Sequence, residues 1–268
     1  MNTDLTEPHR SEFVQMLQRG AGAQDIYGEG VAPPPLEVAR PAFVQRELGR
    51  VSMHLRGAAS LLAAHGVRGE RVLDVGCSTG GTTAAVALNP SIGAREVIGV
   101  DPNGLSIDAA RVRAVGLGLA DKLSFRQIEA NAALPFEDGS FDLVMAVSVL
   151  EFIPTVQGRE RFLGELRRVT RKGGHIYIAT PSRWVLRELH TDRWLGNFVR
   201  RLDRPWASGT HFILHALDDC QVIRVDRWLA RQATGRMGLP QSWPRLNALL
   251  AWAMRWAPWQ KHLLQRRL

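Results

Sequence analysis

The chain has 268 residues, of which 45% are hydrophobic and 22% are charged, and it contains 25 Gly and 14 Pro. This length suits one large domain with extensions or two small domains, and the composition excludes a disordered or collagen-like chain. No apolar stretch approaches the roughly 20 residues of a membrane-spanning helix and no signal pattern is present, so we expect a cytoplasmic protein. The two cysteines, Cys77 and Cys220, cannot by themselves form a disulfide framework or a zinc site, and we predict no metal site.

The net charge of +8 comes from the C-terminal third of the chain. Residues 1–182 carry 19 basic and 20 acidic side chains, whereas residues 183–268 carry 15 basic and 6 acidic ones. All 8 Trp residues also follow residue 182. Because charge and Trp content change at the same point, we divide the chain there into a core at 41–182 and a basic, Trp-rich extension at 183–268. The Gly-rich segments and the run Pro33–Pro35 predict an N-terminal arm or lid at 1–40.

The predicted elements alternate along the core. We predict helices at 41–64, 82–88, 106–115 and 159–169, and strands at 71–75, 97–101, 123–128, 141–147 and 175–179. Strands that alternate with helices form a parallel sheet covered on both faces, which predicts an α/β, doubly wound, mostly parallel and Rossmann-like fold. We expect a helical N-terminal arm before this core and a helical C-terminal extension after Pro181.

Two of the predicted strands end in sequences suited to binding a ligand. In open parallel sheets, ligands bind beyond the carboxyl ends of the strands, near the point where the strand order reverses. The glycines of the segment Asp74–Gly81 let the backbone approach a ligand closely at the start of a helix. Asp101 ends the next strand, where a carboxylate can accept two hydrogen bonds from ribose hydroxyls.

A dinucleotide-binding fold is the alternative for this pattern. That fold requires the motif G-x-G-x-x-G, whereas this loop has Gly76, then three other residues, then Gly80 and Gly81. The carboxylate of Asp74 beside the turn would repel a pyrophosphate, but it suits a ligand that carries an amino group and a sulfonium, both cationic. The loop therefore favours a cationic nucleoside ligand.

Residues 71–182 resemble a class I S-adenosylmethionine-dependent methyltransferase of the small-molecule type. Five segments carry the resemblance in the order and spacing of that family: Val72–Gly80, Gly99–Asp101, Leu134–Asp142, Val147–Pro154 and Arg168–Gly174. Each segment is a weak signal alone, and the five together are highly specific.

The resemblance implies S-adenosyl-L-methionine as cofactor and a role for each matching residue. Asp74 is expected to hold the methionine amino group, and Asp101 the ribose. Ser148 is expected to face the methionine end of the cofactor. The remaining expected cofactor contacts are the backbone of Gly76, Cys77 and Gly80 and, around the adenine, Pro102, Asn103, Ala130 and Asn131.

Methyl transfer from a sulfonium depends mostly on positioning, so a general base is optional. For a hydroxyl acceptor, the candidate bases are Glu151, His190, His211 and His215, and the three histidines lie where this family builds its acceptor pocket. Glu151 and Phe152 stand where relatives often carry histidine or an aromatic residue, and core packing is an equal interpretation of Phe152.

The acceptor class follows from motifs that are missing. The sequence after the fourth predicted strand is not the Asn/Asp-Pro-Pro-aromatic motif of enzymes that methylate base amines, and no Pro-Cys nucleophile for pyrimidine methylation is present. We therefore expect a small-molecule or lipid-like acceptor, and consider a nucleic acid unlikely as a partner. The alternatives are a methyltransferase that acts on RNA or protein through the basic C-terminal part, and a non-catalytic module that binds the cofactor or a partner.

The C-terminal tail suggests one further partner. From Trp243 onward, apolar residues recur at helical spacing, and no acidic residue follows Asp226. A helix that carries Trp and Arg without acids is typical of an anionic membrane surface, which would place the protein peripherally at the inner membrane. Packing of this helix against the domain or a subunit interface is the favoured alternative.

Overall fold

A computed structural model of the chain describes residues 2–22, 41–130, 132–153, 155–181, 217–225, 228–229, 231–232, 245, 248–249 and 260–268. The strands are β1 (Arg71–Val75), β2 (Glu96–Asp101), β3 (Leu123–Gln127), β4 (Phe141–Val147), β5 (Thr170–Pro181), β6 (Cys220–Ile223) and β7 (Gln260–Arg267). The helices are α1 (His9–Gln18), α2 (Pro41–Leu48), α3 (Arg50–His54), α4 (Ser60–Ala64), α5 (Gly81–Leu88), α6 (Gly104–Gly116) and α7 (Val156–Val169). A π-helical turn at Leu55–Ala59 joins α3 to α4, and a 3-10 turn at Leu150–Phe152 follows β4.

The strands form one sheet in the order β3-β2-β1-β4-β5-β7-β6. The first five strands in that order are parallel, and β7 runs antiparallel to both β5 and β6. The order reverses between β1 and β4, because the chain first builds outward from β1 to β3 and then returns to the other side of β1. The carboxyl ends of β1, β2 and β4 therefore meet at the place where open α/β sheets bind ligands.

Helices cover both faces of this sheet, which confirms the predicted doubly wound α/β fold. One face packs against α4, α5 and α6, and the other packs against α7. Helix α5 is buried from Gly81 to Ala87, because its alanines and threonines are small enough to fit between the sheet and the preceding helices. Among the described residues, the connection between β3 and β4 contains no helix.

The described part of the N-terminal arm is attached to the core. Helix α1 buries Phe13 and Leu17 against α6 and α2. The arm is also held by a hydrogen bond from the backbone amide of Thr6 to the carbonyl oxygen of Gly116, at 3.3 Å. The expected helical arm is therefore present in residues 2–22, where it is packed on the outside of α6.

The prediction of a helical extension is wrong for two segments of the C-terminal part. Residues 220–223 and 260–267 are strands, and β7 lies inside the sheet between β5 and β6. Leu263 and Leu264 point to opposite faces of the sheet, and both are buried. Strand β7 therefore lacks the alternation of apolar and polar residues that marks a half-exposed strand, and its sequence resembles a helical segment. In the part of the chain that the structure describes, no helix is long and apolar enough to cross a membrane.

Candidate functional site: a cleft at the carboxyl edge of the sheet

The loop after β1 turns sharply because several of its residues adopt left-handed backbone conformations. The φ angles are 75° at Gly76, 49° at Ser78 and 74° at Gly80. The backbone amides of Gly76 and Cys77 both donate to the carbonyl oxygen of Val100, at 2.8 and 3.0 Å. These two bonds hold the loop against β2. Gly76 lines the cleft described below, where the lack of a side chain leaves room for the segment after β4.

The side chain of Cys77 lies on the core side of this loop. It is 5% exposed, and its sulfur is so close to β2 that a Cβ on Gly99 would lie 2.9 Å from it. Burial, reinforced by the nearby carboxylates of Asp74 and Asp101, raises the pKa of this thiol well above its ordinary value. Cys77 is therefore a packed, protonated core residue.

Asp101 connects three elements at the end of β2. Its two carboxylate oxygens accept the backbone amides of Ser78 and Asn103, each at 2.9 Å. Asn103 in turn caps α6 by accepting the amide of Ser106 at 3.0 Å. Asp101 is half-buried, and burial raises its pKa while the two amides oppose that shift. Because each carboxylate oxygen has a second lone pair, the side chain can still accept hydrogen bonds from a diol.

Asp74 is a buried carboxylate on β1. Its side chain is 1% exposed and accepts the hydroxyl of Thr83, on α5, at 2.6 Å. Burial raises the pKa of Asp74 to about 7; the Thr83 hydrogen bond opposes this shift and the charge of Asp101 adds to it. An approaching cation would stabilise the ionised form, so this group suits a ligand with an amino group or a sulfonium.

A cleft of about 170 Å³ opens beside these residues. Its walls combine the ends of β1 and β2 with the segment after β3, the segment after β4 and one side of α7. The expected adenine contacts Pro102 and Ala130 line it together with Gly76, Ile128 and Phe152. The walls are mostly apolar and include three charged residues, Glu129, Arg161 and Glu165. Such a lining suits a flat, aromatic ligand group.

The segment after β4 is fixed by contacts to β5. Ser148 has a φ of 57°, and its amide donates to the carbonyl oxygen of Ala179 at 2.7 Å. Glu151 is 5% exposed and accepts the hydroxyl of Thr180 at 3.3 Å. The negative charge of Glu151 also acts on the guanidinium of Arg159, on α7. Glu151 is thus enclosed between β5 and α7.

The structure brings most of the predicted site residues to one edge of the sheet. The residues that lie there are Asp74, Gly76, Cys77, Gly80, Asp101, Pro102, Asn103, Ala130, Ser148 and Glu151. Asn131, His190, His211 and His215 lie outside the described residues. Sequence reasoning missed Val149, whose side chain covers Gly76, as well as Phe162 in the wall of the cleft and Thr83 beside Asp74. Thr83 could have been found from the helical spacing that follows the glycine turn, but Val149 had no sequence signal.

Comparison with known proteins agrees with this geometry. The family model described as a methyltransferase domain matches residues 73–178. Sterol 24-C-methyltransferase ERG6B of Gibberella zeae is 32% identical over 162 residues, which are 60% of this chain and 38% of that protein. The chloroplastic tocopherol O-methyltransferase of Arabidopsis thaliana is 38% identical over 164 residues, which are 56% of this chain and 44% of that protein. The chain thus spans less than half the length of these curated relatives.

Similarity to solved structures extends over more of the chain. The geranyl diphosphate C-methyltransferase of Streptomyces coelicolor A3(2), determined with geranyl diphosphate and S-adenosyl-L-homocysteine, superposes with a TM-score of 0.53. The alignment covers 98% of this chain and all of that protein at 16% sequence identity, so it shows a shared fold. Residues 73–178 thus match a methyltransferase-domain family model, and the chain shares its fold with a solved methyltransferase.

Proposed function

We propose that this chain transfers a methyl group from S-adenosyl-L-methionine to a small-molecule or lipid-like acceptor. The observation that carries the proposal is the mostly apolar cleft lined by Gly76, Pro102 and Ala130, together with the carboxylates of Asp101 and Asp74 near the carboxyl ends of the adjacent strands β2 and β1. The apolar cleft suits the adenine. The carboxylate of Asp101 can accept hydrogen bonds from the two ribose hydroxyls, and the buried carboxyl of Asp74 suits the cationic methionine end.

The residues of the chain act by binding and orientation. The cofactor supplies an activated methyl group on a sulfonium sulfur. Asp101 would accept the ribose hydroxyls, and Pro102, Asn103, Ala130 and Asn131 would lie along the adenine. Asp74 would balance the positive charge of the methionine end, and Ser148 would face that end. Holding both reactants in line lets a displacement proceed without a large chemical contribution from the protein.

A proton has to leave when the acceptor is a hydroxyl or a protonated amine. Glu151 is the described candidate for accepting that proton, beside His190, His211 and His215 in the part outside the described residues. Because Glu151 is buried against Thr180 and near Arg159, it also holds the segment after β4 in place. Substitution of Glu151 by Gln with a measured pH-rate profile separates the two roles, since loss of a general base removes the acidic limb whereas loss of a positioning group lowers the rate at every pH.

The acceptor is proposed from the relatives and from the sequence. The names of the relatives describe methylation of sterols and tocopherols, and the similar solved structure is named for an isoprenoid diphosphate. Transfer of tritiated methyl groups from the cofactor to lipid, small-molecule and RNA extracts tests the proposal. Label in the lipid or small-molecule fraction supports it. Label confined to RNA or protein would favour the alternative acceptors, and binding of cofactor without any transfer would favour a non-catalytic module.

An anionic membrane surface stays a predicted partner. Trp252, Trp256 and Trp259 lie outside the described residues, whereas two of the basic residues near them, Arg266 and Arg267, belong to β7. Sedimentation with anionic liposomes at low and high salt, for the full chain, tests this association. Protein that remains in the supernatant at low salt would contradict it.

A further inference from the structure

A buried carboxylate contacts the glycine loop and is not part of the lining of the cleft. Glu47 is the next-to-last residue of α2, and its side chain is 1% exposed. The Nε atom of Arg50 is 3.1 Å from Glu47 Oε1, which supplies an opposite charge. Burying a charge is costly without such partners, so the position of this carboxylate in the fold needs a reason.

Glu47 reaches the glycine loop directly. Its Oε2 atom accepts the hydroxyl of Thr79, which is fully buried, at 2.9 Å. This hydroxyl is the only hydrogen-bond donor that the described residues provide to the carboxylate. Because an unsatisfied buried carboxylate is unfavourable, Glu47 holds Thr79 in one orientation.

The helix that carries Glu47 is itself fixed to the core. The guanidinium of Arg113, on α6, donates to the backbone carbonyl of Glu47 at 2.7 Å and stacks over the ring of Phe13 at 4.4 Å. Glu47 therefore acts on Thr79 from a rigid position.

The N-terminal arm closes the other side of Thr79. The amide of Gly22 donates to the hydroxyl of Ser106 at 3.0 Å, and a Cβ on Gly22 would lie 2.9 Å from the methyl group of Thr79. The hydroxyl and the methyl group of Thr79 are thus held by two different N-terminal segments.

Fixing Thr79 also fixes the groups expected to touch the cofactor. Thr79 lies between Ser78, whose amide holds Asp101, and Gly80, whose left-handed conformation begins α5. A shift of Thr79 would carry the Ser78 amide away from the Asp101 carboxylate. The orientation of Asp101 therefore depends on Glu47 through two bonded neighbours.

We propose that Glu47 is a positioning residue for the cofactor site and that Thr79 is the link through which it acts. The inference rests on the cofactor site proposed above. It adds that the N-terminal helix α2 sets cofactor affinity from behind the loop, without touching the cofactor.

The test is calorimetric titration of S-adenosyl-L-methionine into the full chain and its variants. Glu47→Asp keeps the charge but draws it back from Thr79, and Thr79→Val removes the hydroxyl at constant shape. We expect each variant to bind about tenfold more weakly, the loss of part of a hydrogen bond to a charged group. The double variant should bind within about twofold of the weaker single one, because both changes break the same contact. Thr79→Ser keeps the hydroxyl and should restore affinity to within about twofold of the wild type.

A matched control separates positioning from general stability. Val169 is fully buried at the end of α7, near the amino edge of the sheet and far from the loop. Val169→Ala should lower the melting temperature and leave the dissociation constant unchanged. If the Glu47 and Thr79 variants behave as Val169→Ala does, the positioning role is refuted.

Each remaining outcome is also decisive. If Glu47→Asp does not fold, the comparison of Thr79→Val with Thr79→Ser still applies, and equal affinities of these two variants would overturn the inference. If the wild type does not bind the cofactor at all, the proposed function fails. If the wild type and the variants bind it equally, only the positioning role of Glu47 fails.

Discussion

The side chain of Val149 lies directly over Gly76, so a Cβ on Gly76 would overlap the Cγ2 atom of Val149. The segment after β4 thus packs against the turn after β1, and the missing side chain of Gly76 is what allows them to meet at the cleft. Gly76 also has a φ of 75°, which is unfavourable for other residues.

Replacing Gly76 by Ala should weaken both the fold and the site. The left-handed conformation costs about 1 to 2 kcal/mol for a residue with a Cβ, and displacement of Val149 adds to that cost. The double variant Gly76→Ala with Val149→Ala should recover the stability lost through displacement of Val149, but not the stability lost through the left-handed conformation. Chemical denaturation measures the free energy of unfolding of the single and the double variant. A double variant as unstable as Gly76→Ala would show that the Val149 side chain does not oppose a Cβ at position 76.

Asp101→Asn should weaken binding of S-adenosyl-L-methionine by about tenfold with little change in the melting temperature, because one charged acceptor becomes neutral. Asp101→Ala should lose more, about 1.5 to 3 kcal/mol of binding energy, since the amides of Ser78 and Asn103 also lose their acceptor. Calorimetric titration measures both variants.

The control for these variants is Asp142→Asn. Asp142 also accepts a backbone amide, that of Arg71 at 2.8 Å, but it lies at the opposite edge of the sheet. Its variant should bind the cofactor normally. Weaker binding by Asp142→Asn would mean that these effects are not local to the cleft.

The core of the fold could be predicted because its signals are local. Strand β4 has the predicted bounds, since the run from Phe141 to Val147 is apolar except for Asp142 near its start, and its central residues are buried on both faces. The turn at Gly76 and the position of Asp101 at the end of β2 could also be predicted, because a glycine turn after a strand is a local signal that is common in α/β folds. For these elements, the local sequence pattern and the observed structure agree.

The rest depends on contacts between distant residues. Glu47 looks like an ordinary exposed helix residue in sequence, and only the approach of Thr79, 32 residues later, makes it a buried partner. Val149 meets Gly76 in the same way, through the sheet order. The sequence predicts a helical tail in place of strand β7, because a strand enclosed on both sides has no alternation and its pairing with β5 is not encoded locally.

Binding of the cofactor should release protons near neutral pH. The pKa of Asp74 is about 7 because of burial, so about half of this group is protonated at that pH before a cationic ligand favours the ionised form. Titrations in buffers of different ionisation enthalpy should therefore show about half a proton more released by the wild type than by Asp74→Asn. Equal proton release by both proteins would show that Asp74 does not face the cationic end.

The same raised pKa predicts the pH dependence of stability in the cofactor-free protein. The ordinary pKa of 3.8 applies to the unfolded chain, so protonated Asp74 stabilises the fold at low pH. That contribution is lost as the pH rises from about 4 through about 7. The melting-temperature difference between Asp74→Asn and wild type should grow in favour of the variant over this range. A constant difference would place the pKa of Asp74 near its ordinary value.

Two adjacent arginines at the C-terminus should behave differently. Arg267 donates to the carbonyl oxygens of Arg167, Arg168 and Thr170 at the end of α7, whereas Arg266 is exposed. These carbonyls have no partners within the helix, so a cationic donor stabilises them. Arg267→Gln should lower the free energy of unfolding by about 1 to 2 kcal/mol, and Arg266→Gln should change it by less than about 0.5 kcal/mol. If both arginines served a membrane surface instead, the two variants would retain wild-type stability and lose liposome binding equally. Chemical denaturation and liposome sedimentation of this pair therefore decide whether the end of β7 fastens the sheet to α7 or faces lipid.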